Sequence, residues 1–257
     1  MLIDSHCHLD KLDLSPYQND FSCFMQEVEK NQLEHLLCIS IDLEAYPAMC
    51  DLVAPYQNIS LSVGVHPNVD SGQDPSADEL IALADNDKVV AIGETGLDYF
   101  RSEGDLDWQH QRFINHIAAA KATQKPLIIH TREAAADTLR ILKEQGADQV
   151  GGVIHCFTED WEFAQQAMDL NFYISFSGIV TFKNAKSIQD VAKKVPADRY
   201  LIETDSPYLA PAPFRGKPNY PMYVQHVAQY VADLRGTDKD TIAKQSNENF
   251  RRLFSVF

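Results

Sequence analysis

The chain has 257 residues, 45% of them hydrophobic and 23% charged, which is enough apolar material for a large core. No apolar run approaches the roughly 18 residues of a membrane span, and a formal charge of −15 excludes the broad basic face that non-specific duplex binding needs. Cys7, Cys23, Cys38, Cys50 and Cys156 are odd in number and lack C-x-x-C spacing, so they read as reduced thiols of a cytoplasmic protein.

Leu2 and Ile3 open an apolar run directly at the N-terminus, leaving no room for a signal peptide. The run reads as the first buried strand of a parallel sheet. Alternation along it puts His6 and His8 on one face and Cys7 on the other. Two imidazoles so spaced can grip one metal ion. Phe21, Phe24, Met25 and Val28 then follow helical spacing, so one face packs on the sheet. Further apolar, β-branched runs occupy residues 35–41, 59–65, 89–92, 127–129, 150–154, 173–176 and 200–202. That makes about eight strands, the number a barrel of alternating strands and helices requires. The proline-rich residues 207–221 fit a rigid loop over the barrel mouth. Val224, Val227, Val231 and Leu234 mark a last crossover helix, and Thr237 with Asp240 is expected to cap a terminal one. No repeat or linker divides the chain. Residues 1–257 are expected to form one α/β domain, a (β/α)8 TIM barrel. An open doubly wound sheet is the rival, but no G-x-G-x-x-G supports it.

Active sites of such barrels lie at the C-terminal ends of the strands. Those ends carry His6 and His8, His66, Glu94, His130, His155 and Asp205, from strands one, three, four, five, six and eight. Five of the nine histidines are among them, whereas hydrogen-bonded core histidines would be scattered. A nitrogen and carboxylate set without thiolate suits Zn²⁺, Mn²⁺ or similar ions rather than a structural cysteine site. It is too large for one tetrahedral ion with an open position, and suits two ions about 3.5–4 Å apart bridged by a carboxylate. The acidic surface is compatible with an anionic substrate, because divalent ions dominate the local field.

Asp4 and Glu203 share strand parity with His6 and Asp205 and are expected to point into the barrel below them. There each would hold an imidazole N–H or join a core salt bridge. His66 would touch substrate phosphate or fill the mouth. Arg132, two residues past His130, is placed to clamp a phosphate bidentately. Arg101, Lys183, Arg215 and Lys217 would extend a cationic rim or stay solvated. Tyr99, Phe100, Tyr208 and Tyr220 would stack unpaired bases or pack the loops. His110 and His116 fall in the fourth helix, away from the mouth, and Cys7 and Cys156 should face the helix layer as small hydrophobes.

Several motifs together resemble those of TatD-type metal-dependent deoxyribonucleases, in the family's order from first strand to last helix. They are His6-Cys7-His8-Leu9-Asp10, Val63-Gly64-Val65-His66-Pro67, Ile92-Gly93-Glu94-Thr95-Gly96-Leu97-Asp98 and Ile129-His130-Thr131-Arg132. Ile154-His155-Cys156-Phe157, Glu203-Thr204-Asp205-Ser206-Pro207, Arg215-Gly216-Lys217-Pro218-Asn219 and the terminal Asn249 with Leu253-Phe254 complete them. The resemblance implies that His6, His8 and Asp205 bind one divalent ion, that His130 and His155 bind a second, and that Glu94 bridges them. The ions would be Zn, Mn or Mg. It further implies hydrolysis of DNA, at single strands or ends, by a hydroxide bridging the metals, with Asp205 and Glu94 catalytic. DNA is the expected partner, with no membrane and no stable protein partner. The chain is similar to an amidohydrolase-like superfamily, many of whose members use a carboxylated lysine where this chain has Glu94. It also has Thr158-Glu159-Asp160-Trp161 where the family often has a Gly/Ser-rich turn. The rival activities are an amidohydrolase or lactonase acting on a small acyl substrate with the same metals, and a metal-retaining protein that only binds a partner.

Overall fold

A computed structural model describes residues 1–70 and 74–256. Its strands are β1 (Leu2–Cys7), β2 (Leu33–Cys38), β3 (Ile59–Val63), β4 (Val89–Asp98), β5 (Leu127–Arg132), β6 (Gly152–Ile154), β7 (Phe172–Phe176) and β8 (Tyr200–Ile202). Helices α1 (Phe21–Lys30), α2 (Tyr46–Val53), α3 (Ala77–Leu83), α4 (Asp107–Thr123), α5 (Ala135–Glu144), α6 (Trp161–Asp169) and α7 (Lys186–Lys194) separate them. Helices α8 (Val224–Arg235) and α9 (Lys239–Phe254) follow the last strand. Each strand pairs in parallel with the next, in the order β1 to β8. The ring closes where Cys7 bridges Ser206, the His8 amide donates to the Ser206 carbonyl (2.8 Å) and the Asp205 amide to the His6 carbonyl (2.9 Å). The fold is therefore the expected single-domain (β/α)8 barrel. No helix among the described residues is long and apolar enough to cross a membrane.

Both strand faces are buried, as a parallel barrel requires. Phe24, Val28, Leu36, Leu61, Ile92, Ile129, Ile154 and Val227 belong to the core that joins sheet to helices. A second cluster fills the barrel with Ile3, Leu37, Ile39, Ala91, Ile128, Val153, Tyr173 and Leu201, and Phe250 and Phe254 of α9 complete it. Polar side chains of α9 also satisfy backbone groups of the neighbouring strands. The Asn247 Oδ1 accepts from the Ile3 amide, Ser246 Oγ accepts from the Ile202 amide, and Asn249 donates to the Ala197 and Tyr200 carbonyls. The C-terminal helix is thus the plug of the barrel.

Strand ends differ from the sequence reading in ways that matter for the site. β3 stops at Val63, so His66 stands on the following loop. β4 continues to Asp98, which makes Glu94 a mid-strand residue. β8 stops at Ile202, so Glu203 and Asp205 lie beyond it, and Asp205 takes a left-handed φ of 57°. A register irregularity between Asp4 and Cys7 breaks the alternation of β1. Asp4 therefore turns into the seam with the eighth strand, accepting from the amide and hydroxyl of Thr204 and from the His6 amide, not from any imidazole ring. Ser5 takes the inward direction, its hydroxyl 3.4 Å from that of Ser175. The terminal helix is capped by Asp238 instead of Thr237, the carboxylate accepting from the Thr241 amide at 2.7 Å.

Helix α4 carries His110 and His116 as expected, yet both reach loops of the mouth. His116 Nε2 accepts from the Val65 amide (3.0 Å), while Arg112 donates to the His66 carbonyl (2.8 Å) and pairs with Asp74. Burial holds His116 down at about 4 from its ordinary 6.5. Between those values the unfolded chain binds a proton that the folded one does not. Stability should therefore fall by about 3 kcal/mol from this group as pH drops from 6.5 towards 4. Thermal unfolding across that window should show a shallower fall for His116→Gln than for the wild type. Phe250 is fully buried in the plug, so Phe250→Ala should cost about 3–5 kcal/mol in denaturant unfolding.

Candidate metal centre

The mouth of the barrel gathers six of the seven residues read from the strand ends around the seventh, the carboxylate of Glu94. Glu94 is 2% exposed, and no lysine or arginine pairs with it among the described residues. Its Oε2 lies 3.4 Å from His6 Nε2 and 4.0 Å from His8 Nε2. Asp205 Oδ1 joins that side, 3.7 Å from His6 Nε2 and 3.3 Å from His8 Nε2. Glu94 Oε1 faces the other imidazoles, 2.7 Å from His155 Nε2, 3.3 Å from His130 Nδ1 and 3.4 Å from His66 Nε2. The His6 and His155 rings stack, with centroids 3.9 Å apart.

Protein groups fix the outer nitrogen of most of these rings. His8 Nδ1 lies 3.2 Å from the Ile39 carbonyl, His130 Nε2 3.1 Å from Asp98 Oδ2, and His155 Nδ1 3.3 Å from Glu203 Oε1. Such partners would set the tautomer that offers a lone pair on the inward nitrogen to an ion, while the facing carboxylates outweigh burial and push the pKa of His8, His130 and His155 up. Glu203 thus takes the place below the site expected of it. It also accepts from the Cys156 amide (2.7 Å) and the Ser175 hydroxyl. His66 has the opposite polarity. Its Nδ1 accepts from the Asn68 amide (3.0 Å), so the neutral ring carries its proton on Nε2 and presents a donor to the site.

Two observations test whether these residues suit metal ions. His6 is fully buried with no hydrogen-bond partner on either ring nitrogen, a costly state unless something else engages it. Most nitrogen–oxygen separations, 3.3 to 3.7 Å, are long for hydrogen bonds. They match the spacing of about 3.3 Å between two ligand atoms, each about 2 Å from one tetrahedral ion. Three compact groups of candidate ligand atoms occur among the described residues: His6, His8 and Asp205; His66, Glu94 and His130; and His6, His155 and Glu203. The donor set fits.

Electrostatics keeps the two carboxyls ionised. Burial opposes charge on Glu94, but His155, His66 and His130 outweigh it and hold the group well below the ordinary carboxylate range. Asp205 is held low in the same way by His8, His6 and His155. Burial pushes His6 down, aided by the neighbouring His155.

Asp98 was missed as a site residue, although it stands in the quoted Glu94–Asp98 motif. Residues 94, 96 and 98 share one face of β4, and that parity was the available signal. Gly96 between them has φ 128°, and a Cβ there would meet the His130 carbonyl, so only glycine lets β4 and β5 approach at this point. Arg132 lays its guanidinium 3.8 Å from the Phe100 ring centre, and no carboxylate pairs with it among the described residues. Arg101, Lys183, Arg215 and Lys217 are exposed, Arg215 over the Phe182 ring. Cys7 does enter the outer core, but Cys156 does not. A left-handed φ of 43° turns its sulfur to the Ser177 hydroxyl at 3.1 Å, and burial with Asp205 and Glu203 nearby pushes the thiol up. In the divergent Thr158–Trp161 turn, Asp160 caps α6 through the Phe163 amide.

Comparison with known proteins agrees with this geometry. The TatD related DNase family model matches residues 3–255. The uncharacterized metal-dependent hydrolase YcfH of Escherichia coli is 46% identical over 255 residues, 99% of this chain and 96% of that one. The 3'-5' ssDNA/RNA exonuclease TatD of a Rahnella species is 34% identical over 201 residues, 76% of each chain. The crystal structure of YJJV, a TatD homolog from Escherichia coli, superposes with a TM-score of 0.90 at 28% identity, covering 100% of this chain and 98% of that one. With the family model spanning nearly its whole length, the chain belongs to the TatD-related DNase family of metal-dependent hydrolases.

Proposed function

We propose that the chain hydrolyses phosphodiester bonds of DNA, at single strands or ends, using two divalent ions of Zn, Mn or Mg. The division of Glu94 carries this reading: one oxygen faces His6 and His8, which also face Asp205, and the other faces His130, His155 and His66. In it, His6, His8 and Asp205 hold one ion, His130 and His155 hold the second, and Glu94 spans both. Bound there, the ions would polarise a phosphoryl oxygen and make water a better nucleophile. Asp205, kept as a carboxylate, orients the attacking water and accepts its proton. Asp98, Glu203 and the Ile39 carbonyl hold the imidazoles in the required tautomers. His66 serves the substrate, giving its Nε2–H to a phosphate oxygen, and Arg132 clamps the same group. The ssDNA/RNA exonuclease activity of the Rahnella relative supports a nucleic-acid strand as substrate. Five free thiols support a cytoplasmic location.

Metal-reconstituted protein incubated with end-labelled single- and double-stranded DNA, and separately with simple lactones, tests the reading. Oligonucleotide cleavage is expected. Lactone hydrolysis without it would move the activity to an amidohydrolase or lactonase. Elemental analysis should find two ions per active chain, and full activity with one would remove the binuclear model.

Asp205→Asn keeps shape but loses charge, so it should abolish turnover and loosen one ion, with the melting temperature measured in chelator little changed. Glu203→Gln should keep both ions and lower turnover about 10–100-fold, because it acts through His155. Loss of an ion from Glu203→Gln alone, with Asp205→Asn active, would reverse the two roles. Arg132→Ala should slow oligonucleotide cleavage about ten- to hundredfold with metal content intact. Unchanged kinetics would free Arg132 from any part in phosphate binding.

A further inference from the structure

Among the described residues, the large apolar side chains left in solvent are Met1, Phe100 (55% exposed), Tyr208 (49%) and Leu209 (36%). All but Met1 sit on loops that follow β4 and β8 at the barrel mouth. Of the four loop aromatics, two are committed to the fold. The Tyr99 hydroxyl bonds His110 (2.6 Å) and Asp137 (2.9 Å), and Tyr220 is 7% exposed with its hydroxyl on the Asp13 carbonyl. Phe100 and Tyr208 keep open ring surface.

Each of these rings is anchored beside the carboxylates. The Tyr208 amide donates to the Asp205 carbonyl (2.9 Å), its own carbonyl accepts from Asn219, and its ring packs edgewise on His8 with centroids 5.7 Å apart. Phe100 sits in the turn closed by the Arg101 amide on Asp98 Oδ1 (2.9 Å), and the other Asp98 oxygen binds His130. Arg132 covers one face of the Phe100 ring. Tyr208 thus stands beside His8, which approaches Oε2 of Glu94, and the Phe100 turn is tied through Asp98 to His130, which approaches Oε1.

A nucleobase is a flat ring held one sugar away from its phosphate. A phosphate at Glu94 would bring the bases on either side within reach of such rings. Base–aromatic stacking tolerates any sequence, but it needs an open base face, which a duplex interior does not offer. We propose that Phe100 and Tyr208 are a stacking pair for the two bases flanking the scissile phosphate, and that they make the site choose unpaired DNA. This rests on the phosphodiesterase reading above and adds to it a source of strand selectivity.

The test uses metal-loaded protein and a single strand that carries 2-aminopurine and cleavage-resistant phosphorothioate linkages. Stacking should quench the probe on binding. Phe100→Ala and Tyr208→Ala should each weaken binding about five- to hundredfold and reduce the quenching, while Tyr208→Phe should keep both. The advantage of a base-bearing strand over an abasic strand of equal length should collapse in the alanine variants. Equal quenching in the alanine variants, or an abasic strand bound as tightly as a base-bearing one by the wild type, would overturn the proposal. Failure of the phosphodiesterase reading looks different: no unmodified strand is cleaved, whatever the probe reports.

Discussion

A carboxylate buried in the mouth of a barrel must be compensated, and among the described residues Glu94 is compensated by imidazoles and by whatever cation they can share. Removing such a charge from water costs several kcal/mol unless partners surround it. Here the partners come from β1, the loop after β3, β5 and the residue after β6. The local arrangement follows from that requirement. The two oxygens divide the histidines into two groups, and the outer shell of Asp98, Glu203 and the Ile39 carbonyl sets which nitrogen each ring turns inward.

The closing seam of the barrel is what makes the first group possible. Residues 6–8 and 205–206 hydrogen-bond across the join, which sets Asp205 against both N-terminal histidines. Asp4 belongs to the same join. Its carboxyl secures Thr204 and the His6 amide, so it acts on the backbone that carries the site. The α9 plug adds a second tie, fastening Ile3 and Ile202 from within the same pair of strands. Binding and folding are coupled here: an ion held across this seam would stabilise the closed barrel by mass action.

Charge is distributed unevenly between body and mouth. The chain carries −15 overall, yet its mouth offers five imidazoles, an Arg132 with no carboxylate partner among the described residues, and two exposed aromatic rings. Under the phosphodiesterase reading, an anionic strand would be received there once bound cations offset the mouth's own carboxylates, Glu94, Asp98, Glu203 and Asp205.

Local patterns in the sequence were enough for the eight strands, the crossover helices and the positions of His6, His8, Glu94, His130, His155 and Asp205. Apolar period and strand-end placement are properties of short segments, so they can be read without neighbours. What depended on distant neighbours could not. Asp4 left its expected face because a register irregularity reversed the alternation of β1, and Asp205 lies past its strand in a left-handed turn. Asp98 became a partner of His130 only once β4 ran four residues beyond Glu94 beside β5. The tautomer of His66 follows from the Asn68 amide that meets it, and Tyr99 left the open aromatic rim because its hydroxyl found His110 and Asp137. The gathering of candidate ligands at the barrel mouth was therefore legible in the sequence alone. Which atom each one presents was decided by tertiary structure, because direction depends on the hydrogen bonds and contacts that other segments supply.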